Sequence, residues 1–309
     1  MCRIAALACL LLVAAGCGGG SDDGPFAEEH RIDAVAATGL ATTADGRLIV
    51  GELDGGRLLA VDLVDDGAEV SELGAVPDVD AAPEQGGLLG LVALDEARLA
   101  ASFTDADGRL RIDELDAATG AVLRTRWLGP EAQERANGGR MAVLADGTLL
   151  IGVGDLLDPD LVEDPDAPNG KVLAISEDGT ATPWAAGLNN PFALAGDGLV
   201  DVWVADNAPG SRPERLLEVT EGDVAEVTSW DDTRVPSGIA VLPDGRLALC
   251  SFATGELGIV DPADPGDGRG DVVADDCRYG VVALPDGGLA YAAEAEVVLL
   301  DGDEALDDD

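Results

Sequence analysis

One pattern recurs six times along this chain and restricts its possible folds more than any other feature. The pattern G-[LIV]-A-x-x-x-D-G-x-L appears as T-G-L-A-T-T-A-D-G-R-L around Asp45 and, more loosely, as L-G-L-V-A-L-D-E-A-R-L around Asp95. It returns around Asp146, Asp197, Asp244 and Asp286, at successive spacings of 50, 51, 51, 47 and 42 residues. The fullest copy is Asn137 to Asp155, N-G-G-R-M-A-V-L-A-D-G-T-L-L-I-G-V-G-D. There two apolar runs flank Asp146-Gly147. That is the strongest short-range signal for a β-hairpin, because Gly accepts the positive φ a tight turn needs.

Each copy leaves room for further strands. After Asp45 come Leu48-Ile49-Val50 and Arg57-Leu58-Leu59-Ala60-Val61, separated by Asp54-Gly55-Gly56. After Asp244 come Leu247-Ala248-Leu249 and Leu257-Gly258-Ile259-Val260, separated by Thr254-Gly255. Helical periodicity of useful length is absent. Equal units of this length are those of a four-stranded propeller blade, so the chain is expected to be an all-β, six-bladed β-propeller. A two-sheet sandwich does not predict six equal units. The last copy, about Arg278 to Leu300, shows only three strands, and an open blade would expose an unpaired edge. The orphan run Arg31–Ala36 is expected to close the ring as the outer strand of the last blade, pairing Ile32 with the Val297–Leu300 run.

Hydrophobic residues make up 47% of the chain but aromatics only 3%, so the core must be aliphatic. Lys and Arg number 18 against 61 Asp and Glu, for a net charge of -43, and Lys171 is the only lysine. Such a surface repels nucleic acid and anionic lipid, which excludes phosphate-backbone partners. The N-terminus reads as a targeting segment: Arg3, an apolar stretch Ile4–Val13, and Ala14-Ala15-Gly16-Cys17. It resembles a bacterial lipoprotein signal, with Cys17 as the lipidated residue; an ordinary secretory peptide with an incidental Cys is the alternative. The expected organisation is a signal at 1–16, a flexible tether at 17–29, a propeller at 30–303 and an acidic tail at 304–309. The protein is expected in the bacterial cell envelope, outside the cytoplasm, meeting the membrane only through its anchor. Cys250 and Cys277 both fall near one mouth of the ring, where they can form a disulfide between neighbouring blades or remain two buried thiols.

In a propeller the first strand of each blade lines the central channel, so the residues just before those strands converge at one mouth. That ring is Thr38, Gln85, Asn137, Asn189 with Asn190, Ser237, and Arg278 with Tyr279. A few convergent polar groups at a concavity define the default binding site, here for a small ligand or a protein partner. The loop Asp155–Asp166 carries Asp155, Asp158, Asp160, Glu163, Asp164 and Asp166. It lacks EF-hand spacing and reads as a solvated loop rather than a cation site.

An ordered series of segments resembles the glucose/sorbosone dehydrogenase family across roughly residues 36 to 290. Besides the stretch from Asn137, these are Gln85-Gly86-Gly87-Leu88-Leu89-Gly90-Leu91, N-G-K-V-L-A-I-S-E-D-G from Asn169, W-A-A-G-L-N-N-P-F-A-L, V-W-V-A-D-N-A-P-G and V-P-S-G-I-A-V-L-P-D-G-R-L. The resemblance implies a six-bladed propeller that holds pyrroloquinoline quinone (PQQ) over Ca²⁺ and oxidises a sugar-like aldose. In it Gln85 matches the family's cofactor-side Gln and Asn190 the Asn of its R-N-P motif; with Asn137, Arg140, Asn189, Ser237, Arg278 and Tyr279 they are the candidate cofactor or ligand contacts. It also places Asp206, Asn207 and Pro209 where the family binds its metal.

The resemblance also locates departures. The family's catalytic His falls on Ala136, and its R-N-P motif reads Asn189-Asn190-Pro191. A cationic position in the fifth blade reads Ser251-Phe252-Ala253, and the sixth blade keeps one Arg of two in Cys277-Arg278-Tyr279. Ala cannot accept a proton, and His30, the only His, lies beside the closing strand. A substitute base would be a carboxylate such as Glu134. The expectation is a family scaffold that binds a ligand or partner with a degenerate catalytic site. The alternatives are an active quinone-dependent aldose dehydrogenase and, third, a metal-dependent lactonase, which would need carboxylates lining the channel.

Overall fold

The computed structural model describes residues 26–64, 67–196, 202–208 and 213–302. The leader, Cys17, Asp197, Pro209 and the acidic tail lie outside the described residues. The chain forms six four-stranded antiparallel sheets, one per repeat, arranged as a propeller. Five of them take their strands consecutively from the sequence. The sixth combines Gly280–Ala283, Leu289–Ala292 and Glu296–Gly302 with Phe26–Asp33 from the other end of the chain. Ile32 pairs with Val297, as the open edge of the last repeat required.

That closing strand begins at Phe26, inside the stretch expected to be tether, and ends at Asp33 rather than Ala36. The earlier start has a packing cause. Phe26 lies against the core of blades 5 and 6, and the strand ending at Gly302 is long enough to pair with it. Beyond Asp33, Ala34 and Ala36 still donate to the carbonyls of Ala295 and Glu294, at 3.0 and 2.9 Å.

The repeat motif has two structural parts. In Leu144-Ala145-Asp146-Gly147-Thr148, Gly147 takes φ 85° and donates to Leu144 O at 2.8 Å, while Asp146 Oδ1 accepts from Thr148 N at 2.9 Å. The Thr148 amide thus holds the Asp146 carboxyl below its ordinary range. The leading glycine belongs to the hub. A Cβ at Gly238 would lie 2.7 Å from Gly280 Cα in the next blade, and one at Gly90 would lie 2.9 Å from Gly139 O. Neighbouring inner strands touch there, and a side chain would push them apart.

The apolar core is divided into six slabs, each between two neighbouring blades. Leu48, Val50, Leu59 and Val61 of blade 1 pack on Ala290, Val297 and Leu299 of blade 6; Leu149, Ile151 and Leu173 of blade 3 pack on Ala100, Leu110 and Ile112 of blade 2. The axis itself is open as a cavity of about 330 Å³, lined by the inner strands of all six blades. Cys250 and Cys277 form a buried disulfide joining blades 5 and 6, with a Cα separation of 5.6 Å.

Polar contacts lock the seam as well. Tyr291 Oη donates to Asp276 Oδ1 at 2.5 Å, and Arg31 of the closing strand reaches Asp276 at 3.1 Å and Glu296 at 2.9 Å. Burial acts to raise the Asp276 pKa, but the Tyr291 hydrogen bond and the Arg31 guanidinium outweigh it and hold the carboxyl below 3.8. A carboxyl depressed on folding stabilises the fold above its unfolded pKa, and that stabilisation is lost as pH falls through the folded value. The melting-temperature gap between wild type and Asp276→Asn is therefore expected to be full at neutral pH and to shrink as pH drops below 3.8. A gap independent of pH would remove the seam carboxylate from this account. The disulfide closes a span of 27 residues, and replacing both cysteines by serine is expected to cost about 3 kcal/mol in denaturant unfolding.

Candidate functional site

The residues of the predicted ring lie at the mouth where the inner strands begin, but most of their polar groups are engaged within the fold. Ala136 adopts φ 58°, and the equivalent entry residues of blades 1 and 5, Ala36 and Val235, take 46° and 56°. Each entry carbonyl receives an amide from the end of its blade's second strand: Leu53 N to Ala36 O, Leu156 N to Ala136 O, and Phe252 N to Val235 O, at 3.0, 3.2 and 2.9 Å. This left-handed residue turns the chain from the rim into the hub.

From blade 2 to blade 4 the rim is one hydrogen-bonded arc. Gln85 Oε1 accepts from Ala136 N at 2.8 Å, and Gln85 O accepts from Asn137 Nδ2 at 2.9 Å. Asn137 Nδ2 also donates to Gln133 O, and Asn137 Oδ1 accepts from Gln133 N, at 2.8 and 2.7 Å. Asn137 is fully buried. Its amide holds the Gln133–Asn137 loop against blade 2 and is not presented to the channel, as the ring of strand starts had led us to expect. Asp155 N donates to Asn189 O at 2.7 Å, and the backbone amides of Asn189 and Asn190 both donate to Asp206 Oδ1, at 2.8 and 2.7 Å. Asn189 Nδ2 reaches Asn207 O at 2.6 Å.

Asp206, placed among the metal-binding residues by resemblance, is committed on both oxygens. Oδ1 takes the two amides, and Oδ2 pairs with Arg215 at 2.5 Å. Arg215 escaped sequence reasoning because it is a cross-strand neighbour: the register sets Asp206 opposite Arg215. Among the described residues no group of three or more His, Cys, Asp or Glu side chains is placed to hold a metal. Two buried acceptors on this arc, Asn190 Oδ1 and Asn207 Oδ1, have no partner.

The acidic loop is organised from inside by the single lysine. Lys171 is fully buried, and its ammonium donates to the carbonyls of Val162, Asp164 and Asn169 at 3.0, 2.9 and 3.1 Å. Burial lowers its pKa, opposed by Asp164 and Glu163. Most of the loop's carboxylates point to solvent. Asp155 is the exception at 8% exposure, with Oδ1 accepting from Leu157 N at 2.9 Å. It follows Gly154, where a Cβ would lie 2.0 Å from Ala136 O and 2.8 Å from Asn190 Oδ1. The backbone at Gly154 and Leu156 is what the fold brings against Ala136, and Asp155 lies between them with its carboxylate turned to the Leu157 amide. Glu134, weighed as a substitute base, is exposed and contributes its backbone carbonyl to the rim. The signal for Asp155 was its place at the end of the hairpin that Ala136 opens, since antiparallel pairing returns the second strand to the first strand's start.

Blades 5, 6 and 1 form the other half of the mouth. Thr38 Oγ1 donates to Leu88 O, and Ser237 Oγ donates to Cys250 O at 3.3 Å; both side chains are buried beneath the rim. Arg278 NH1 reaches Phe252 O at 2.6 Å. Phe252, 44% exposed, meets the Tyr279 ring edge-on at 5.7 Å, and burial raises the Tyr279 pKa. Arg140 points into the channel, donating through NH1 to Thr38 O and through NH2 to Tyr279 O.

A six-bladed ring with a partly polar mouth over a narrow axial cavity defines a propeller that presents its site at one end of the axis. The chain belongs to the Glucose / Sorbosone dehydrogenase family, whose sequence profile matches residues 35–205. Among solved structures it is similar to the PQQ-bound form of an aldose sugar dehydrogenase from Streptomyces coelicolor, at 22% identity, covering 89% of this chain and 97% of that one, with a TM-score of 0.76. It is also similar to the apo form of the soluble aldose sugar dehydrogenase of Escherichia coli, at 18% identity, covering 88% and 99%, with a TM-score of 0.68. At these identities the likeness carries the fold alone. No curated protein sequence matches significantly.

If Asp206 is an internal anchor, Asp206→Asn destabilises the protein in the presence of a chelator. The expected cost is roughly 3 kcal/mol, because the Arg215 charge loses its partner. Arg215→Met is expected to cost a similar amount, with the double variant less than the sum. Denaturant unfolding reads all three, and a wild-type cost appearing only when Ca²⁺ is supplied would assign the carboxylate to a metal instead.

Proposed function

We propose that this chain is an extracytoplasmic, lipid-anchored propeller of the sugar dehydrogenase type that binds a sugar-like ligand or a protein partner at its mouth without turning it over. One observation carries this: the position of the family's proton acceptor is a methyl group, Ala136, whose backbone N–H and C=O are both engaged in the rim. A hydride-transferring oxidation of a sugar hydroxyl needs a base within hydrogen-bond reach of that hydroxyl.

The cofactor implied by resemblance meets the same difficulty. A quinone bearing several carboxylates requires donors and cations. Asn189 is tied to Asn207 O, Arg215 to Asp206, and Arg140 to two carbonyls, while the unpartnered groups Asn190 Oδ1 and Asn207 Oδ1 are acceptors. Arg278, itself bonded to Phe252 O, and the exposed Arg135 beside Ala136 are the cations left at this rim among the described residues. The residues present do not fit PQQ, and no chemical step is derived through it.

The alternative is an active quinone-dependent aldose dehydrogenase, and Asp155 is the observation in its favour: a nearly buried carboxylic residue between Gly154 and Leu156, whose backbone meets Ala136 O. The lactonase reading has less support, since the described residues lining the channel include no Asp or Glu.

Reconstitution with Ca²⁺ and PQQ separates these readings. The wild-type protein is expected to retain no quinone after gel filtration and to reduce no dye with a panel of aldoses, while calorimetry detects a saturable sugar or partner. Ala136→His should fold, because His tolerates φ near 58°, and should remain inactive because the donors are still missing. Tight quinone retention with turnover that Asp155→Asn abolishes would establish the enzyme.

A further inference from the structure

The axial cavity contains a cation without a countercharge. Of the described residues lining it, Arg140 alone is ionisable, in a chain with 61 Asp and Glu. Its guanidinium lies at the meeting point of four blades. It projects from blade 3, donates to Thr38 O of blade 1 and Tyr279 O of blade 6, and sits 5.5 Å from the centre of the Phe192 ring of blade 4. Carbonyl dipoles and a ring quadrupole reduce the cost of burying a charge, but they supply no net negative charge.

The other internal cations are handled differently. Arg126 meets Glu114 and Glu177, Arg234 meets Glu256 and Asp232, and Arg215 meets Asp206. Lys171 has Asp164 and Glu163 nearby. Arg140 forms no salt bridge among the described residues, and burial alone pushes its pKa down to about 10. Its Nε is buried without a hydrogen-bond partner.

The surroundings are shaped to receive a small anion. The hydroxyls of Thr38, Thr42 and Ser237 already donate to the carbonyls of Leu88, Ala283 and Cys250, so they do not compete for the guanidinium. The inner strands are sheet edges, which turn both N–H and C=O groups unpaired by the sheet toward the axis, and Arg140 engages two carbonyls there. The cavity of about 330 Å³ has room for a halide or compact carboxylate with its waters. A polyvalent anion would pay a steeper repulsion crossing so acidic a surface.

We propose that the channel is a monovalent-anion site, in which a halide or a compact carboxylate rests against Arg140 and supplies the countercharge that the protein omits. The site is independent of whether the mouth is catalytic. An occupant that binds only the closed ring stabilises it by mass action, and it ties the hub where blades 1, 3, 4 and 6 meet.

The test replaces sodium sulfate by sodium chloride, bromide, formate or acetate at constant ionic strength and follows the melting temperature of wild type, Arg140→Met and Arg140→Lys. The gap between wild type and Arg140→Met is expected to grow saturably with the anion. Arg140→Lys, which keeps the charge but not the guanidinium geometry, should show the response at higher concentration; it carries the comparison if the Met variant does not fold. Chloride NMR line broadening by wild type, lost in the variant, and an anomalous bromide peak at the guanidinium in a crystal give direct readouts. A response to halides alone identifies an inorganic ion, and one to formate and acetate alone a metabolic carboxylate. Equal responses in wild type and variants would reduce the effect to surface screening, and with no bromide peak the proposal fails.

Discussion

Ring closure is the constraint on which everything else in this structure depends. Each blade buries its apolar faces only against two neighbours, so the six slabs of core exist as a set or not at all. The slab between blades 6 and 1 is completed by a strand from the N-terminal end of the propeller, paired through Ile32 and Val297. Without that strand, Val297, Val298 and Leu299 would face an unpaired edge. The Arg31–Asp276–Tyr291 contacts and the Cys250–Cys277 disulfide hold the other face of blade 6 to blade 5, so covalent and ionic ties concentrate on the blade that the closing strand completes.

Closure also explains why the mouth is less available than its residue types suggest. Bringing six strand starts together buries many backbone amides and carbonyls, and buried polar groups must be paired. Asn137, Asn189 and Asp206 meet that demand between blades 2 and 4, with Arg215 neutralising the carboxylate from behind. What remains open is Phe252 with Tyr279 and Arg278 on one side and the neighbourhood of Ala136 and Asp155 on the other. A mouth of this kind suits a neutral ligand better than a polyanion, especially in a chain of net charge -43.

The internal cations follow the same logic. In so acidic a protein a buried cation is easily matched, and Arg126, Arg215 and Arg234 are matched. Lys171 shows another solution, an ammonium held by three carbonyls at the base of the acidic loop. Arg140 departs from both patterns at the one place where all six blades converge.

The sequence by itself determined the ring. Six Asp-centred turns, five of them Asp-Gly, at near-constant spacing dictate six units, since turn chemistry is local, and the missing fourth strand of the last unit dictates a closing partner. The Phe26 start was not legible, because pairing length depends on what a side chain packs against across the seam. The departure at Ala136 was visible, as was the convergence of residues before each inner strand. Which of them face a ligand was decided only by tertiary structure. Asp206 acquires Arg215 through cross-strand register, Asn137 turns inward onto its own loop, and the backbone flanking Asp155 comes against Ala136 through strand return. Those outcomes depend on distances between segments far apart in the chain, and residue type and spacing carry no record of them.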